Sequence, residues 1–230
     1  MKLAIVGYGK MGRMVESLAP EYGFTVHSRI DVNDPMEAAQ GADAAIEFST
    51  PEAAAGNLKK LAALKVNTVC GTTGWFAQLD DVRPAFDATG TALVYSPNFS
   101  VGVNIFFKLL EDAAKMLEQQ PEYGAWAWEI HHDAKKDAPS GTLIKAVDAL
   151  KAGGYTRHID VSSNRAGKVP GTHEIGFDSA ADTITLRHTA RSREGFARGA
   201  LQAAKWIVGK QGVHEFANIL FQQQTTKGDK

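Results

Sequence analysis

An apolar run at residues 2–6 breaks directly into Gly7-Tyr8-Gly9-Lys10-Met11-Gly12, and a helical pattern follows to about Leu18, ahead of Pro20. A strand, a G-x-G-x-x-G turn and a helix, in that order, constrain this chain more than any other feature. The first glycine permits the tight turn, the second lets the backbone approach a pyrophosphate, and the third lets helix and strand pack closely. A glycine-rich turn alone has purely conformational uses; its place straight after a strand makes it a dinucleotide fingerprint. Residues 24–30 read as the next strand and end at Asp31. That is about 20 residues past the glycines, where an acidic side chain takes the adenine ribose hydroxyls. Asp31 favours NADH, while Arg29 offers a partner to a 2′-phosphate and leaves NADPH open. The stretch from Asp31 to Pro35 also reads as a turn with a helix cap.

The alternation continues. Residues 43–48 are a third strand, Ser49-Thr50-Pro51-Glu52 opens a helix with proline early, and residues 66–70 are a fourth strand ending in Gly71-Thr72-Thr73-Gly74. A fifth strand at residues 92–95 runs into Ser96-Pro97-Asn98-Phe99-Ser100, which also reads as a hinge between domains. Strands alternating with helices through five repeats predict a Rossmann-type α/β fold, a doubly wound parallel sheet. Such sheets bind ligands beyond the carboxyl ends of their strands. The candidate cofactor residues are therefore Gly7, Tyr8, Gly9, Lys10, Met11, Gly12, Asp31, Gly71, Thr72, Thr73, Ser96, Pro97, Asn98 and Phe99. A helix over residues 103–117 follows, with Ile105, Leu109, Ala113 and Leu117 spaced for one buried face.

Residues 124–130 alternate small and large groups through Ala125, Trp126, Ala127 and Trp128, the period of a strand with its bulky groups on one face. His131 and His132 close it. After Lys135 and Lys136, Asp137-Ala138-Pro139-Ser140-Gly141-Thr142 breaks the chain, and helical spacing resumes with Ser140 as N-cap. A helix start presents unpaired N–H groups and a positive dipole end, so Ser140, Gly141 and Thr142 suit a carboxylate or phosphate. Lys135 and the histidines add mobile donors and a group that titrates near neutral pH. Together they describe an anionic substrate that must gain a proton. Neighbouring side chains on a strand point to opposite faces and no carboxylate motif completes a set with the histidines, so no metal site is expected.

Strands then dominate at residues 155–163, 172–178 and 184–189, as in a separate α+β domain built on an open mixed sheet. A last long helix to about Val208 carries Phe196, Ala200, Ala203, Ala204 and Ile207 on one stripe and returns to the first domain. The expected division is residues 1–99 plus 192–230 for the dinucleotide and residues 100–191 for substrate binding and oligomerisation. Residues 225–230 are polar and expected to fray. Charges of both signs are interspersed, with a net charge of −1 and no basic block, which excludes a nucleic-acid or membrane-surface footprint. The N-terminal apolar run is too short for a signal peptide, so a cytoplasmic location is expected. A single cysteine, Cys70, excludes an intrachain disulfide and suits packing after a buried strand.

The string from His131 to Thr142 resembles the signature of dihydrodipicolinate reductases, His-His-x-x-Lys-x-Asp-Ala-Pro-Ser-Gly-Thr. The glycine turn, Phe48-Ser49-Thr50-Pro51-Glu52, Gly71-Thr72-Thr73-Gly74, Asn98-Phe99-Ser100 and Ser192-Arg193 stand in that family's order. The resemblance implies NADH- or NADPH-dependent reduction of the dehydrated form of 4-hydroxy-tetrahydrodipicolinate, a small dicarboxylate, in lysine and diaminopimelate biosynthesis, by a homotetramer. It makes His131 the acid/base, Lys135 the proton donor, His132 a substrate ligand, and Gly141 with Thr142 the carboxylate cradle that Ser140 opens. It also sets Gly71, Thr72 and Thr73 along the nicotinamide half of the cofactor. The residues themselves leave open which of His131 and Lys135 gives up the proton. Lys136 falls where the family pattern is free. Many members carry one more residue in the glycine loop, and some follow the strand-two acid with arginine where this chain has Val32. The missing guanidinium weakens 2′-phosphate binding, although Lys10 can compensate, so NADH is expected to serve at least as well as NADPH. Another NAD-dependent amino-acid or semialdehyde dehydrogenase, or a non-catalytic nucleotide sensor, would share the first domain. Neither has an evident use for His131 and His132 ahead of a helix-start anion site.

Overall fold

Strands apolar on both faces have to be covered on both faces, and the N-terminal half of the chain does this with helices. The computed structural model describes residues 1–222. Its contacts divide the chain into two units, Met1–Val101 with the chain from Glu194 onward, and Gly102–Arg193. The first unit opens with β1 (Lys2–Val6), α1 (Lys10–Leu18), β2 (Thr25–Ile30), β3 (Ala44–Glu47), α2 (Pro51–Ala63), β4 (Asn67–Cys70), α3 (Leu79–Thr89) and β5 (Ala92–Tyr95). β1 pairs in parallel with β2 on one side and β3 on the other, and β4 and β5 extend the sheet beyond β3. The strand order thus reverses at β1, which is where sheets of this type bind ligands. Alternate residues go to opposite faces. Leu3, Ile5, Ile46 and Val94 face one side, while Cys70 and Leu93 pack under Leu58 and Ala62 of α2 and Val82 and Phe86 of α3 on the other.

The second unit contains α4 (Val101–Leu117), β6 (Gly124–His131), α5 (Gly141–Ala152), β7 (Ile159–Arg165), β8 (Thr172–Asp178) and β9 (Thr183–Thr189). Its sheet runs β7-β6-β8-β9, parallel between β6 and β7 and antiparallel elsewhere, the mixed sheet that the sequence predicts. One face carries Ala125, Ala127, Ile175 and Phe177 against Phe106 and Leu110 of α4 and Leu143, Ala146 and Leu150 of α5. The other carries the half-buried Trp126 and Trp128. Gly176 lies opposite Trp126, and a Cβ there would fall 2.1 Å from the indole Cε2. The small residues of the alternating strand are therefore the core side and the tryptophans the open side.

Two expectations shift here. Ile105 and Leu109 are 42% and 50% exposed, and the buried face of α4 is Phe106, Leu110, Ala114 and Leu117 instead. Apart from the stripe of Lys108, Glu111, Asp112 and Lys115 the helix is apolar over a broad arc, so spacing alone does not choose the face; packing against Ala125, Ala127 and Phe177 of the sheet does. β7 begins at Ile159 because the Tyr155 N–H still closes α5 on the Leu150 carbonyl at 3.0 Å, and the Tyr155 ring is buried edge-on to Phe177.

The chain then returns to the first sheet through α6 (Glu194–Ile207), β10 (Gly212–Glu215) and α7 (Phe216–Gln222). α6 packs Ala197, Ala200, Leu201, Ala203, Ala204 and Ile207 into the core, with Phe196 only half-buried. β10 adds in parallel to β5, completing the order β10-β5-β4-β3-β1-β2. It is four residues with one aliphatic side chain, too short and polar for a strand pattern to reveal. The terminal stretch expected to fray lies outside the described residues. Small residues let α6 lie close: a Cβ on Gly199 would fall 1.7 Å from the Phe99 carbonyl oxygen. Gly199→Ala is therefore expected to lower stability by about 1–3 kcal/mol for forced overpacking. Gly56→Ala, in α2 with nothing within 4 Å of its Cβ position, is expected to raise stability by about 0.5–1 kcal/mol. Chemical denaturation of both variants checks the opposite signs.

Candidate active site

The three glycines after β1 do separate work. Gly7 has φ +86°, and a Cβ there would lie 2.2 Å from the Phe48 carbonyl oxygen; on Gly12 it would lie 2.3 Å from the Gly7 carbonyl oxygen. Gly9 has nothing within 4 Å, so the backbone is open to a ligand at the one glycine where a pyrophosphate needs room. Met11 packs against the core and Lys10 is exposed. The loops after β3 and β4 are tied together from beneath. Glu47 is fully buried and accepts from the Ser49 N–H at 3.2 Å, the Ser49 hydroxyl, Asn57 Nδ2 at 3.4 Å and Cys70 Sγ at 3.2 Å. Ser49 N–H also donates to Thr72 Oγ1 at 2.8 Å. A Cβ on Gly71 would strike the Phe48 ring at 2.0 Å. Burial, then the Glu47 carboxylate, pushes the Cys70 thiol well above its ordinary range, so this cysteine is a packing residue and a weak donor.

Asp31 and Thr73 are exposed, and Asp31 Oδ1 accepts from the Val32 N–H at 3.0 Å. Ser96 Oγ donates to the Asn98 carbonyl at 2.8 Å and accepts from its N–H at 3.1 Å, which folds the Ser96-Pro97-Asn98 turn on itself. Phe99 is 2% exposed and stacks on Phe216 at 4.9 Å, so it can offer a ligand only its backbone. Arg29 is engaged: its Nε lies 3.0 and 3.1 Å from the Glu16 carboxylate oxygens and its Nη2 closes on the same group. Tyr8 donates its hydroxyl to Glu16 and lies under Arg29 at 5.9 Å.

In the second unit the candidate residues gather around a carboxylate that the sequence did not single out. Glu129 has no exposed surface. Its Oε1 accepts from the Ser140 N–H at 2.8 Å and from Arg165 Nη2 at 2.9 Å, and its Oε2 accepts the Ser140 hydroxyl. His131 Nδ1 stands 3.5 Å and His173 Nε2 3.4 Å from Oε2. Ser140 is the N-cap of α5 as expected, its Oγ accepting from the Leu143 N–H at 3.2 Å. The Gly141 and Thr142 N–H groups have no acceptor within the helix. Gly141 is exposed with nothing within 4 Å of its Cβ position. Lys135 is on the preceding loop with its Nζ 2.8 Å from Asp137 Oδ1, and its N–H donates to the His132 carbonyl at 3.1 Å. His132 is half-exposed, while His131 is 7% exposed. Arg165 donates also to the Asp137 carbonyl, pinning the loop.

Burial alone would raise the Glu129 carboxyl, but the Ser140 hydroxyl and N–H and the Arg165 guanidinium hold it below the ordinary carboxylate range. Burial pushes the His131 imidazole down; Glu129 opposes this, and Lys135 and Arg165 add to it. His173 is pushed down to about 4, first by burial and then by His131. Gly171, at φ +147°, lies against the His131 ring, where a Cβ would fall 2.9 Å from Nε2.

Donor atoms of Glu129, His131 and His173 lie within 4.8 Å of one another. The expectation that no carboxylate completes a set with the histidines is corrected here: the carboxylate comes from two residues upstream on the same strand face and the second imidazole from β8. Arg165 already matches its charge, so the group is a hydrogen-bonded hub. Sequence reasoning found His131 and Ser140 but not Glu129, Arg165, Gly171 or His173. A charged residue at an inward position of the alternating strand was the available signal for Glu129. Arg165 and His173 belong to other strands and carry no local motif.

Because unfolding lets His173 bind a proton at its ordinary value of 6.5 while the folded protein resists until about 4, the unfolded state holds more protons between those limits. Stability is therefore complete above about pH 6.5 and falls as the pH drops toward 4, by roughly 3 kcal/mol. Thermal midpoints across that range should show a shallower pH slope for His173→Gln; an equal slope would place the acid sensitivity elsewhere.

Residues 1–99 match the sequence profile described as dihydrodipicolinate reductase, N-terminus, and residues 102–220 the corresponding C-terminus. The 4-hydroxy-tetrahydrodipicolinate reductase of Christiangramia forsetii is 34% identical over 96% of this chain and 98% of its own length. That of Archaeoglobus fulgidus is 36% identical over 96% of this chain and 100% of its own. The dipicolinate-bound dihydrodipicolinate reductase from Paenisporosarcina sp. TG-14 shares the fold, with a TM-score of 0.81 over 95% of this chain and 99% of that one at 20% identity. No described helix is long and apolar enough to cross a membrane. On the two profiles and these relatives, the chain belongs to the dihydrodipicolinate reductase family and reduces 4-hydroxy-tetrahydrodipicolinate with a nicotinamide cofactor on the route to lysine.

Proposed function

We propose that the start of α5 holds the substrate's carboxylate on the Gly141 and Thr142 N–H groups, that Lys135 delivers the proton, and that His131 serves as the adjoining acid/base with His132 as a substrate ligand. The observation that carries this reading is the capped, open helix start beside a buried imidazole: Ser140 uses its hydroxyl inward, and Gly141 leaves the outward approach clear. Dipicolinate, the ring dicarboxylate bound by the Paenisporosarcina enzyme, exemplifies the ligand class. An ammonium has three donors, so Lys135 can keep Asp137 and still present an N–H to a substrate. When bound, the nicotinamide supplies hydride to a ring carbon, and the product must also take up a proton. Gly7, Tyr8, Gly9, Lys10, Met11 and Gly12 would hold the pyrophosphate, Asp31 the adenine ribose, and Gly71, Thr72, Thr73, Ser96, Pro97, Asn98 and Phe99 the nicotinamide side.

We assign the cofactor as NADH at least as readily as NADPH. Arg29 is the guanidinium nearest in sequence to Asp31, and Glu16 both occupies it and adds a negative charge; Arg29 and then Tyr8 hold the Glu16 carboxyl down at about 2, so it is charged at neutral pH. A 2′-phosphate would have to displace that partner. The half-buried tryptophans on the open face of the second sheet favour its coverage by further copies in a homotetramer, and the biosynthetic role favours the cytoplasm.

Coupled to the synthase that makes its substrate, the protein should oxidise NADH with a substrate-dependent loss of near-ultraviolet absorbance. Lys135→Ala should lower turnover roughly 10²-fold or more; a near-normal rate rejects Lys135 as donor. The wild type should show kcat/KM with NADH equal to or above that with NADPH, and Glu16→Gln should raise the NADPH value roughly three- to fivefold. A strong NADPH preference in the wild type overturns the cofactor assignment.

A further inference from the structure

We propose that Glu129 is a positioning residue for this reaction, a single carboxylate that sets both the first turn of α5 and the state of the His131 ring. The proposal rests on the roles assigned above to α5 and His131. Four elements meet at this side chain: its own strand β6 through His131, α5 through the N–H and hydroxyl of Ser140, β7 through Arg165, and β8 through His173.

The two oxygens divide the work. Oε1 takes the Ser140 N–H and the Arg165 guanidinium, which in turn holds the Asp137 carbonyl of the loop bearing Lys135. Oε2 takes the Ser140 hydroxyl and lies nearest both imidazoles. Ser140 is thus fixed at its amide and at its hydroxyl by one group, which leaves the following two N–H groups with a set direction. That is preorganisation of an anion site by a residue that cannot itself touch the anion, because it is fully buried. His131 is faced by Glu129 on its own strand, Lys135 and Asp137 on the loop, Arg165 from β7 and His173 from β8. Among these, Glu129 is the buried negative charge, and it offsets Arg165. A neutral amide in its place keeps the shape but removes that charge and turns one acceptor into a donor facing the Ser140 hydroxyl or the Arg165 guanidinium.

The test uses the full chain. In Glu129→Gln, the KM for the dicarboxylate substrate should rise about tenfold while the KM for NADH stays within about twofold. The NMR titration midpoint of His131, assigned by its loss in His131→Gln, should fall by about one unit or more, as expected for removal of a charge within about 4 Å. Ser140→Ala deletes the hydroxyl link to Glu129 together with the cap on the Leu143 N–H, and should raise the substrate KM about threefold with the His131 midpoint in place, a split that general loosening of the fold does not produce. If Glu129→Gln does not fold, an unchanged KM in Ser140→Ala overturns the proposal. Gly141→Pro, which removes one of the two N–H donors at the first helical position, where proline is accommodated after the extended Ser140, separates the two levels. A raised substrate KM there, with Glu129→Gln unchanged in KM and midpoint, removes Glu129 and leaves the anion site standing. No change in either variant removes the anion site and the proposal with it.

Discussion

A carboxylate with no exposed surface must be met by donors on every side, since an unpaired buried charge costs several kcal/mol. That requirement, at Glu129, determines the architecture of the second unit's site. The strand β6 brings the group inward because its neighbours on that face, Ala127 and His131, also point to the covered side. Ser140 and Arg165 then have to converge on it as donors from α5 and β7, with the His173 imidazole approaching from β8 and that of His131 from β6 itself. The helix start, the Lys135 loop and the proposed acid/base histidine, neighbours in one short stretch of chain, are consequently tied by Arg165 and His173 from distant strands into one electrostatic unit.

The first unit solves a related problem with the same means. Glu47 is buried at the end of β3 and gathers Ser49, Asn57 and Cys70, and through Ser49 the Thr72 loop after β4. The backbone is left free where a ligand needs it, at Gly9 as at Gly141. In both units an inward carboxylate stiffens loops from behind while glycines keep the front clear. Rigid supports and open backbone donors are what anion binding demands, because donors that must first be ordered lose affinity to entropy.

How much of this was legible in the sequence follows from the range of each signal. Local patterns were readable: the glycine turn, the strands bounded by glycine, and Ser140 as a cap each depend on a few adjacent residues. The face of α4 was not, because its apolar residues span a broad arc of the helix and only the partner surface chooses Phe106 over Ile105. β10 was missed because its pairing with β5 comes from position in the sheet, not from the character of Gly212-Val213-His214-Glu215. Arg165 and His173 were invisible for the same reason, each being placed by register with β6, and Gly171 sits just before β8 with nothing local to mark it. Glu129 lay between the two. It stood two residues ahead of the motif, and its inward parity was readable, but its role required knowing what faced it.

The charge arrangement bears on where the proton is held. Glu129 and Arg165 cancel, and burial holds His131 and His173 below their ordinary values, so at neutral pH neither buried ring is a standing proton store. The remaining cation beside them is Lys135, half-buried on the loop and held by an exposed carboxylate at Asp137. A donor of this kind can move toward a substrate without leaving an unpaired charge in the interior, since Asp137 remains in water when the contact breaks. Moving a proton from His131 would instead require charging that ring inside the unit first. The cost of that step falls on burial, and it is the physical reason for proposing Lys135 as the donor.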